Sequence, residues 1–389
     1  MTIQKLSNNR PLPTRKKGLP GHAKGGRKSA SALILILYEY LHPPHTLEKC
    51  DNYSHKGLNK APESGTIASA NKLQYQTEGL NLMSNNSINL GKMQEKHEKT
   101  MLLAASYYRI GDKRKALRTL ECGTYLGFAE IPGEGMRLVE ANFCDGRLCP
   151  TCNWRRSLRI YSTTSQIMDC LDRTYGKKIK YLFLTLTVKN IPGDKLSETI
   201  DTMADAYKRM TNNRAWKRRV KGAMRTLEVT VNHETQEYHP HYHLILVVDG
   251  KYATKNDETY WTHADWQHAW QQAARLDYKP DVSIERVKGR RKGIAEISKY
   301  VAKDADYILP DNETETDRIV TDLDKHLYKR RLISYTGLMR EARISLGIGD
   351  PERAPLTDEV RGDIANAIQR YHWSAGLGCY VPGPPKDER

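Results

Sequence analysis

The chain has 389 residues, which is enough for two domains or for one large domain with appendages, and either would bury a sizeable core. Its net charge of +16 and pI of about 9.4 point to a polyanionic partner, with nucleic acid as the first candidate. No run approaches the roughly 20 apolar residues of a membrane span, so we expect a cytoplasmic protein with no membrane partner.

The composition divides the chain into four segments. Residues 1–93 are basic and polar with few apolar positions, so we expect a largely disordered extension. Residues 94–176 predict a helical module that contains a cysteine cluster. Residues 177–310 alternate between strand and helix patterns, and residues 311–389 predict a C-terminal helical part followed by a tail.

The segment 177–310 carries a regular order of elements. The predicted strands are Lys180–Val188, Arg225–Asn232, His239–Val248 and Asp281–Val287. The predicted helices run from Leu196 to Met210, from His263 to Arg275, and from Gly293 to about Ile308. The order β-α-β-β-α-β-α predicts an α+β, ferredoxin-like antiparallel sheet with one extra helix. The first two helices would cover one face and leave the other face free for a site.

The motif HPHYH predicts a metal site on that sheet. Side chains of a strand alternate between its faces, so His239, His241 and His243 share one face. If the hairpin pairs Asn232 with His239, Glu228 lies opposite His243 and is a candidate third ligand beside His241 and His243. His239, nearer the strand end, competes for that position. Such ligands suit Mn²⁺ or Mg²⁺ bound to a substrate phosphate. A closed structural zinc site, or histidines on a solvated strand face, are the alternatives.

A second motif, EISKYVAKDADY, supplies a nucleophile and a base. Glu296 and Tyr300 are four residues apart, which on a helix places a carboxylate beside a phenol. Lys299, and Lys303 on nearly the same helix face, would favour the phenolate, and Lys299 could also contact DNA. Glu296 could activate water or deprotonate a 3′-hydroxyl, or could merely pair with Lys299. Tyr307 returns to the face of Tyr300 and is a possible second nucleophile.

Four of the seven cysteines predict a structural zinc site: Cys122, Cys144, Cys149 and Cys152. Four thiolates around one zinc ion would hold together a small module with little core of its own. Arg155 and Arg156 follow the last of these cysteines directly, where they could contact DNA phosphates.

Together these residues resemble a known family. FLTLTV, HPHYHLIL and EISKYVAKDADY are similar to the three motifs of plasmid rolling-circle replication initiators, the Rep branch of the HUH endonucleases, and NFCDGRLCPTCNWRRS and KRRLISYTG are similar to its flanking signatures. The resemblance implies a metal-dependent nick at a plasmid origin, single-stranded or in a hairpin, with a 5′-phosphotyrosine on Tyr300. The released 3′-hydroxyl would prime a host polymerase, a host helicase would act in trans, and Glu296 would support the hydrolytic closing step.

Two other functions stay open at this stage. HUH transposases also combine cysteine-rich N-termini with two tyrosines. A non-catalytic, zinc-dependent DNA-binding regulator would explain the charge and the cysteines, but not the alignment of histidines, glutamate and tyrosine. One-tyrosine and two-tyrosine chemistry are likewise both compatible with the sequence.

Overall fold

The computed structural model describes residues 89–131, 135–253, 259–287, 290–298, 303–358 and 368–383, all within the unit His45–Arg389. Residues 1–88 of the predicted extension lie outside this range. The helices are α1 (Leu90–Arg109), α2 (Lys113–Leu120), α3 (Pro150–Tyr175), α4 (Leu196–Asn212), α5 (Arg214–Arg219), α6 (His263–Ala274), α7 (Arg290–Ile297), α8 (Asp304–Tyr307), α9 (Glu313–His326) and α10 (Gly337–Ser345). Among the described helices, none combines the length and the apolar character that a bilayer crossing needs.

The strands fall into two antiparallel sheets. They are β1 (Tyr125–Ile131), β2 (Gly135–Ala141), β3 (Ile179–Thr187), β4 (Val220–Asn232), β5 (Glu237–Asp249), β6 (Val282–Arg286), β7 (Ile333–Thr336), β8 (Gln369–Ser374) and β9 (Cys379–Pro382). The central sheet has the order β6-β3-β5-β4-β7, so the strand that carries the histidines is in the middle. The α+β class and the antiparallel pairing are thus as predicted.

The register of the β4–β5 hairpin differs from the assumed one. The structure pairs Thr230 with His239, Glu228 with His241, and Thr226 with His243. The predicted pairing of Asn232 with His239 is wrong by two residues because β5 begins at Glu237 and the turn spans only residues 233–236, closed by Gln236 with φ 58°. A shift of two residues keeps every side chain on its face, so Glu228 still shares a face with the histidines.

One face of the central sheet is covered by α4 and α6, as predicted. The apolar spacing of α4 gives it a buried stripe: Leu196, Ile200, Met203, Tyr207 and Met210. Helix α6 begins with a capping box between Thr262 and Asp265 and buries Trp266 and Trp270. The ring of Tyr242 on β5 packs against Tyr207 at 5.9 Å and Trp270 at 6.4 Å. This apolar layer holds β5 on the face opposite to the histidines.

The opposite face is not free, contrary to the expectation from the sequence. Helix α3 covers part of it, since Thr164 bonds the sulfur of Met224 on β4 and Tyr181 on β3 donates to Asp172 of α3. Helix α7 contacts both α3 and β5. His241 and His243 lie on this same face, where His241 is buried and His243 is half-buried.

A second sheet, with the order β2-β1-β8-β9, was missed by the sequence analysis. Strand β8 pairs with β1 across more than 200 residues of chain, and β9 pairs with β8. Residues 379–382, assigned to a tail from their composition, form β9. Buried apolar side chains between this sheet and α1 form a small core: Met93, Leu126, Phe128, Leu138 and Tyr380.

The helix predicted from Gly293 to about Ile308 is not continuous. Helix α7 ends at Ile297, and α8 begins only at Asp304. Lys303 has extended backbone angles, φ −72° and ψ 137°. The prediction that Lys303 occupies a helix face is therefore wrong.

Candidate active site

Glu228, His241 and His243 form a tight cluster on the face of the central sheet that α3 also contacts. Oε2 of Glu228 lies 3.0 Å from Nε2 of His243 and 3.5 Å from Nε2 of His241, and the two Nε2 atoms are 3.1 Å apart. Glu228 and His241 are buried, and His243 is half-buried. Three potential ligand atoms thus converge from two adjacent strands.

The second nitrogen of each ring holds it in place. Nδ1 of His241 donates to the backbone carbonyl of His239 at 3.0 Å, and Nδ1 of His243 lies 3.2 Å from the hydroxyl of Thr185 on β3. In a neutral His241 this arrangement leaves the Nε2 lone pair directed at the cluster. The ring of His243 also packs on Phe183 with centroids 5.5 Å apart.

Glu228 is held in its charged form. Burial raises the pKa of this carboxyl, but hydrogen bonds and charge from His241 and His243 outweigh burial, and the net pKa is lowered. The ionised carboxylate is the form that a metal ligand requires, and the two imidazoles must be neutral to bind an ion through Nε2.

The geometry of the three atoms fits a divalent cation. Ligands about 2.1 Å from an ion in octahedral coordination lie about 3 Å apart along each edge. The observed separations of 3.0, 3.1 and 3.5 Å match that spacing. A carboxylate oxygen and a neutral imidazole nitrogen are both donors to divalent cations.

His239 is placed beside this cluster rather than in it. Its Nδ1 is 2.8 Å from Oδ1 of Asn190, and its ring centroid is 5.3 Å from that of His241. The potential ligand atoms of Glu228, His241 and His243 all lie within 4.8 Å of one another, and His239 is not part of this group.

The structure describes only some residues of the predicted nucleophile motif. Tyr300 and Lys299 lie outside the described residues. Glu296 lies on α7 and is partly exposed, whereas Lys303 is exposed just before α8. Helix α7 contacts β5, and α8 contacts β4. Both flanks of the segment 299–302 therefore pack on the two strands that carry the cluster.

Tyr307 is not available as a second nucleophile. It is completely buried, and its hydroxyl donates to the backbone carbonyl of Leu148. Burial raises the pKa of this phenol well above its usual range. A completely buried phenol whose hydroxyl is bonded inside the core is a packing residue, which argues against Tyr307 as a second nucleophile.

The four predicted cysteines meet in one buried cluster. The Sγ atom of Cys122 is 3.5 Å from that of Cys149 and 3.6 Å from that of Cys152, and Cys144 and Cys152 are 3.7 Å apart. A zinc ion with Zn–S bonds of about 2.3 Å gives tetrahedral S–S edges of about 3.8 Å. The cluster has these dimensions.

Two features of the local structure place positive electrostatic potential near the sulfur atoms. Cys149 is the N-cap of α3, with Pro150 at the first helical position, and Cys152 is in the first turn, near the positive end of the helix dipole. Backbone N–H groups also point at sulfur, from Gly146 to Cys144 and from Cys144 to Cys122, both at 3.3 Å.

Arg155 and Arg156 are used inside the protein, contrary to their predicted contact with DNA. Arg156 is buried and donates to the Asp145 carboxylate and to the Gly146 carbonyl. Arg155 donates to the Leu356 carbonyl, and burial lowers its pKa. Both guanidinium groups tie α3 to neighbouring loops.

Sequence reasoning missed two residues near Glu228, His241 and His243, the candidate metal site that we call the metal cluster. Thr185, which positions His243, lies in the FLTLTV segment and alternates onto the same face. Asp306 on α8 has a buried Oδ2 with no hydrogen-bond partner within the described part of the chain. Burial raises the pKa of Asp306, and the negative charge of Glu228 raises it further while Lys303 opposes both. No sequence pattern distinguished this aspartate.

Comparison with known proteins identifies the family. The family model described as "Replication protein" matches residues 135–375. The chain is 36% identical over 311 residues to "Protein rep" of Bacillus amyloliquefaciens, which covers 72% of this chain and 90% of the relative. It is 37% identical over 298 residues to "Protein rep" of a Bacillus species, covering 71% and 94%, and 35% identical over 262 residues to "Protein rep" of Streptococcus pneumoniae serotype 2, covering 66% and 80%. No solved structure matches the chain. The chain therefore belongs to this family of replication proteins, as its resemblance to plasmid rolling-circle replication initiators predicted.

Proposed function

We propose that the protein initiates plasmid rolling-circle replication by nicking and rejoining one strand of the origin through a covalent tyrosine intermediate. The observation that carries this proposal is the cluster of Glu228, His241 and His243, in a replication protein whose helix α7, which carries Glu296, packs against the same sheet. The central strands with α4 and α6 would then form a ferredoxin-like HUH endonuclease unit, which the strand order supports.

In the proposed nicking step, Tyr300 is the nucleophile and Lys303 supplies positive charge. The Tyr300 phenol loses its proton and its oxygen attacks a backbone phosphorus, forming a P–O bond to the tyrosine and breaking the bond to the 3′-oxygen. That oxygen takes a proton and leaves as a 3′-hydroxyl, which primes a host polymerase while a host helicase opens the duplex. Lys303 is exposed, lies in extended backbone directly before α8, and contributes positive charge near the phosphate.

Glu296 acts in the closing step. Its carboxylate, on the helix that contacts β5, accepts a proton from a water, which then hydrolyses the phosphotyrosine and ends the round. We expect Glu296→Ala to retain nicking but to accumulate multimeric single strands. Monomeric circles in normal yield from this variant would contradict the role.

Two metal ions complete the proposal. Glu228, His241 and His243 would hold Mn²⁺ or Mg²⁺, which when bound polarises the scissile phosphate. The four cysteines would hold a structural zinc ion that fixes the N-terminus of α3. The buried position of all four sulfur atoms supports a structural role.

Relaxation of a supercoiled plasmid that carries the cognate origin tests the function. The wild-type chain with Mn²⁺ should give open circles, and His241→Ala with His243→Ala should remove this product while the fold and origin binding persist. A chain that binds the origin but never nicks it would be a non-catalytic regulator, and the proposal would fail.

A further inference from the structure

The end of the central sheet that is farthest from the metal cluster is strongly basic. Here β3 begins, β4 begins and β5 ends, since Ile179 pairs with Asp249 and Val220 pairs with Val248. Six exposed cations lie on the segments that meet at this end, and we call them the distal basic cluster: Lys177, Lys178, Lys217, Arg218, Lys221 and Lys251.

Backbone contacts bring these segments together. The N–H of Gly250 donates to the carbonyl of Lys178 at 2.7 Å, so the turn after β5 lies on the residues that precede β3. A side chain at Gly250 would collide with the Lys177 carbonyl, which shows how closely the two segments pack. Lys221 is on β4, whose partner is β5, and Arg218 is in the helix directly before it.

The positive charges of the cluster are not neutralised internally. None of its six members forms an ion pair within the described ranges, whereas many cations elsewhere do, for example Arg330 with Asp201. Asp249 lies among the cations, and its carboxylate accepts the backbone N–H of Lys251. Six like charges gathered from separate segments give a surface that attracts a polyanion.

The spacing between this surface and the metal cluster suits one DNA molecule. Lys221 and Glu228 are on the same strand, seven residues apart, which at about 3.3 Å per residue is about 23 Å. Duplex DNA rises about 3.4 Å per base pair, so this distance spans about seven base pairs. Lysines dominate the cluster, and as compact point charges they suit phosphates rather than base edges.

We propose that the distal basic cluster binds the backbone phosphates of duplex DNA about seven base pairs from the nick. This inference rests on the proposed function and extends it. The protein would then hold the origin at two places, a scissile strand at the metal cluster and an intact duplex at the opposite end of the sheet.

The test compares two matched triple variants of the full chain. One carries Arg218→Gln, Lys221→Gln and Lys251→Gln. The control carries Arg114→Gln, Lys113→Gln and Lys325→Gln, which are exposed cations on α2 and α9. Fluorescence anisotropy measures binding to a duplex of about 30 base pairs over a salt titration, and cleavage of a short single-stranded origin oligonucleotide is measured in parallel.

For the cluster variant we expect the slope of log K against log salt to fall by two to three, about 0.9 for each lost phosphate contact, and duplex affinity to drop at least tenfold more than oligonucleotide cleavage. The control should keep the wild-type slope. An unchanged slope, an equal loss in the control, or an equal loss with the single strand would overturn the proposal. The binding measurement does not require cleavage. A wild-type chain that never nicks DNA would therefore refute the nicking activity, while the anisotropy titration would still decide whether the distal basic cluster binds duplex DNA.

Discussion

Oε2 of Glu228 lies 3.0 Å from Nε2 of His243, across two neighbouring strands of the central sheet. The relationship depends on the hairpin register, which pairs Glu228 with His241. His243 is two residues further along β5 and is therefore the diagonal neighbour of Glu228. It also depends on Thr185, which holds the far side of the His243 ring. One carboxylate and two imidazoles are thereby held together by contacts of the protein itself.

Replacement of Glu228 by glutamine should weaken Mn²⁺ binding by about a hundredfold or more, because loss of a residue that merely orients a ligand already costs about 10–100-fold. The replacement keeps the side-chain volume, so the fold should persist. Isothermal titration with Mn²⁺ measures the change. Glu237→Gln, in the same hairpin, is the control and should bind like the wild type; equal affinities of all three proteins would remove Glu228 from the ligand set.

Loss of one cysteine should destabilise the module around α3. Cys122→Ser removes one of four buried sulfur ligands, and we expect loss of one equivalent of bound zinc and a large fall in the melting temperature. Cys170→Ser, on α3 but outside the cluster, is the matched control. Metal analysis with thermal melting decides the matter, and a Cys122 variant with full zinc content and unchanged melting would contradict the assignment.

Asp304 should stabilise the chain in a pH-dependent way. It is bonded to Lys96 at 2.7 Å and to Lys99 at 3.1 Å, which ties α8 to α1. Burial raises the pKa of this carboxyl, but the two lysines outweigh burial and the net pKa is lowered. Its stabilisation is therefore present above the unfolded-state pKa of about 4 and is lost as the pH falls through the lower folded-state value.

Asp304→Asn should accordingly lower the free energy of unfolding by about 1–3 kcal/mol at pH 7. The difference from the wild type should shrink as the pH is lowered below about 4. Urea titrations at several pH values measure it, with the exposed Asp311→Asn as control. A difference that is constant across the whole range would show that the ion pairs are not its source.

Much of the site follows from the sequence because strand periodicity is strict. His241 and His243 share a face in any register, and Glu228 stays on that face even though the assumed register was wrong by two residues. The four cysteines were likewise identifiable from spacing and residue type. Local patterns therefore predicted which side chains converge, although they did not predict the distances between them.

The rest depended on contacts between distant parts of the chain. Strand β8 pairs with β1 from more than 200 residues away, and neither has a long alternating pattern. Tyr307 looked equivalent to any other tyrosine on a helix, yet Leu148 accepts its hydroxyl in the core. Arg156 follows the cysteines as a DNA contact would, but its partner is Asp145. Tertiary packing, which no local pattern encodes, decided each case.

The buried position of Tyr307 makes a prediction about mechanism. Tyr307→Phe removes one hydrogen bond and should cost about 1 kcal/mol of stability, but it should leave nicking intact because this phenol never meets DNA. Thermal melting and the plasmid relaxation assay measure the two effects. Loss of nicking in a folded Tyr307→Phe protein would point instead to two-tyrosine chemistry.

The most direct measurement identifies the residue that becomes attached to DNA. The wild-type chain is incubated with Mn²⁺ and an origin oligonucleotide, the adduct is digested, and mass spectrometry maps the peptide that carries the phosphonucleotide. We predict a single adduct on Tyr300, absent from Tyr300→Phe and strongly reduced in the double variant of His241 and His243. An adduct on another residue, or cleavage without any adduct, would contradict the proposed mechanism.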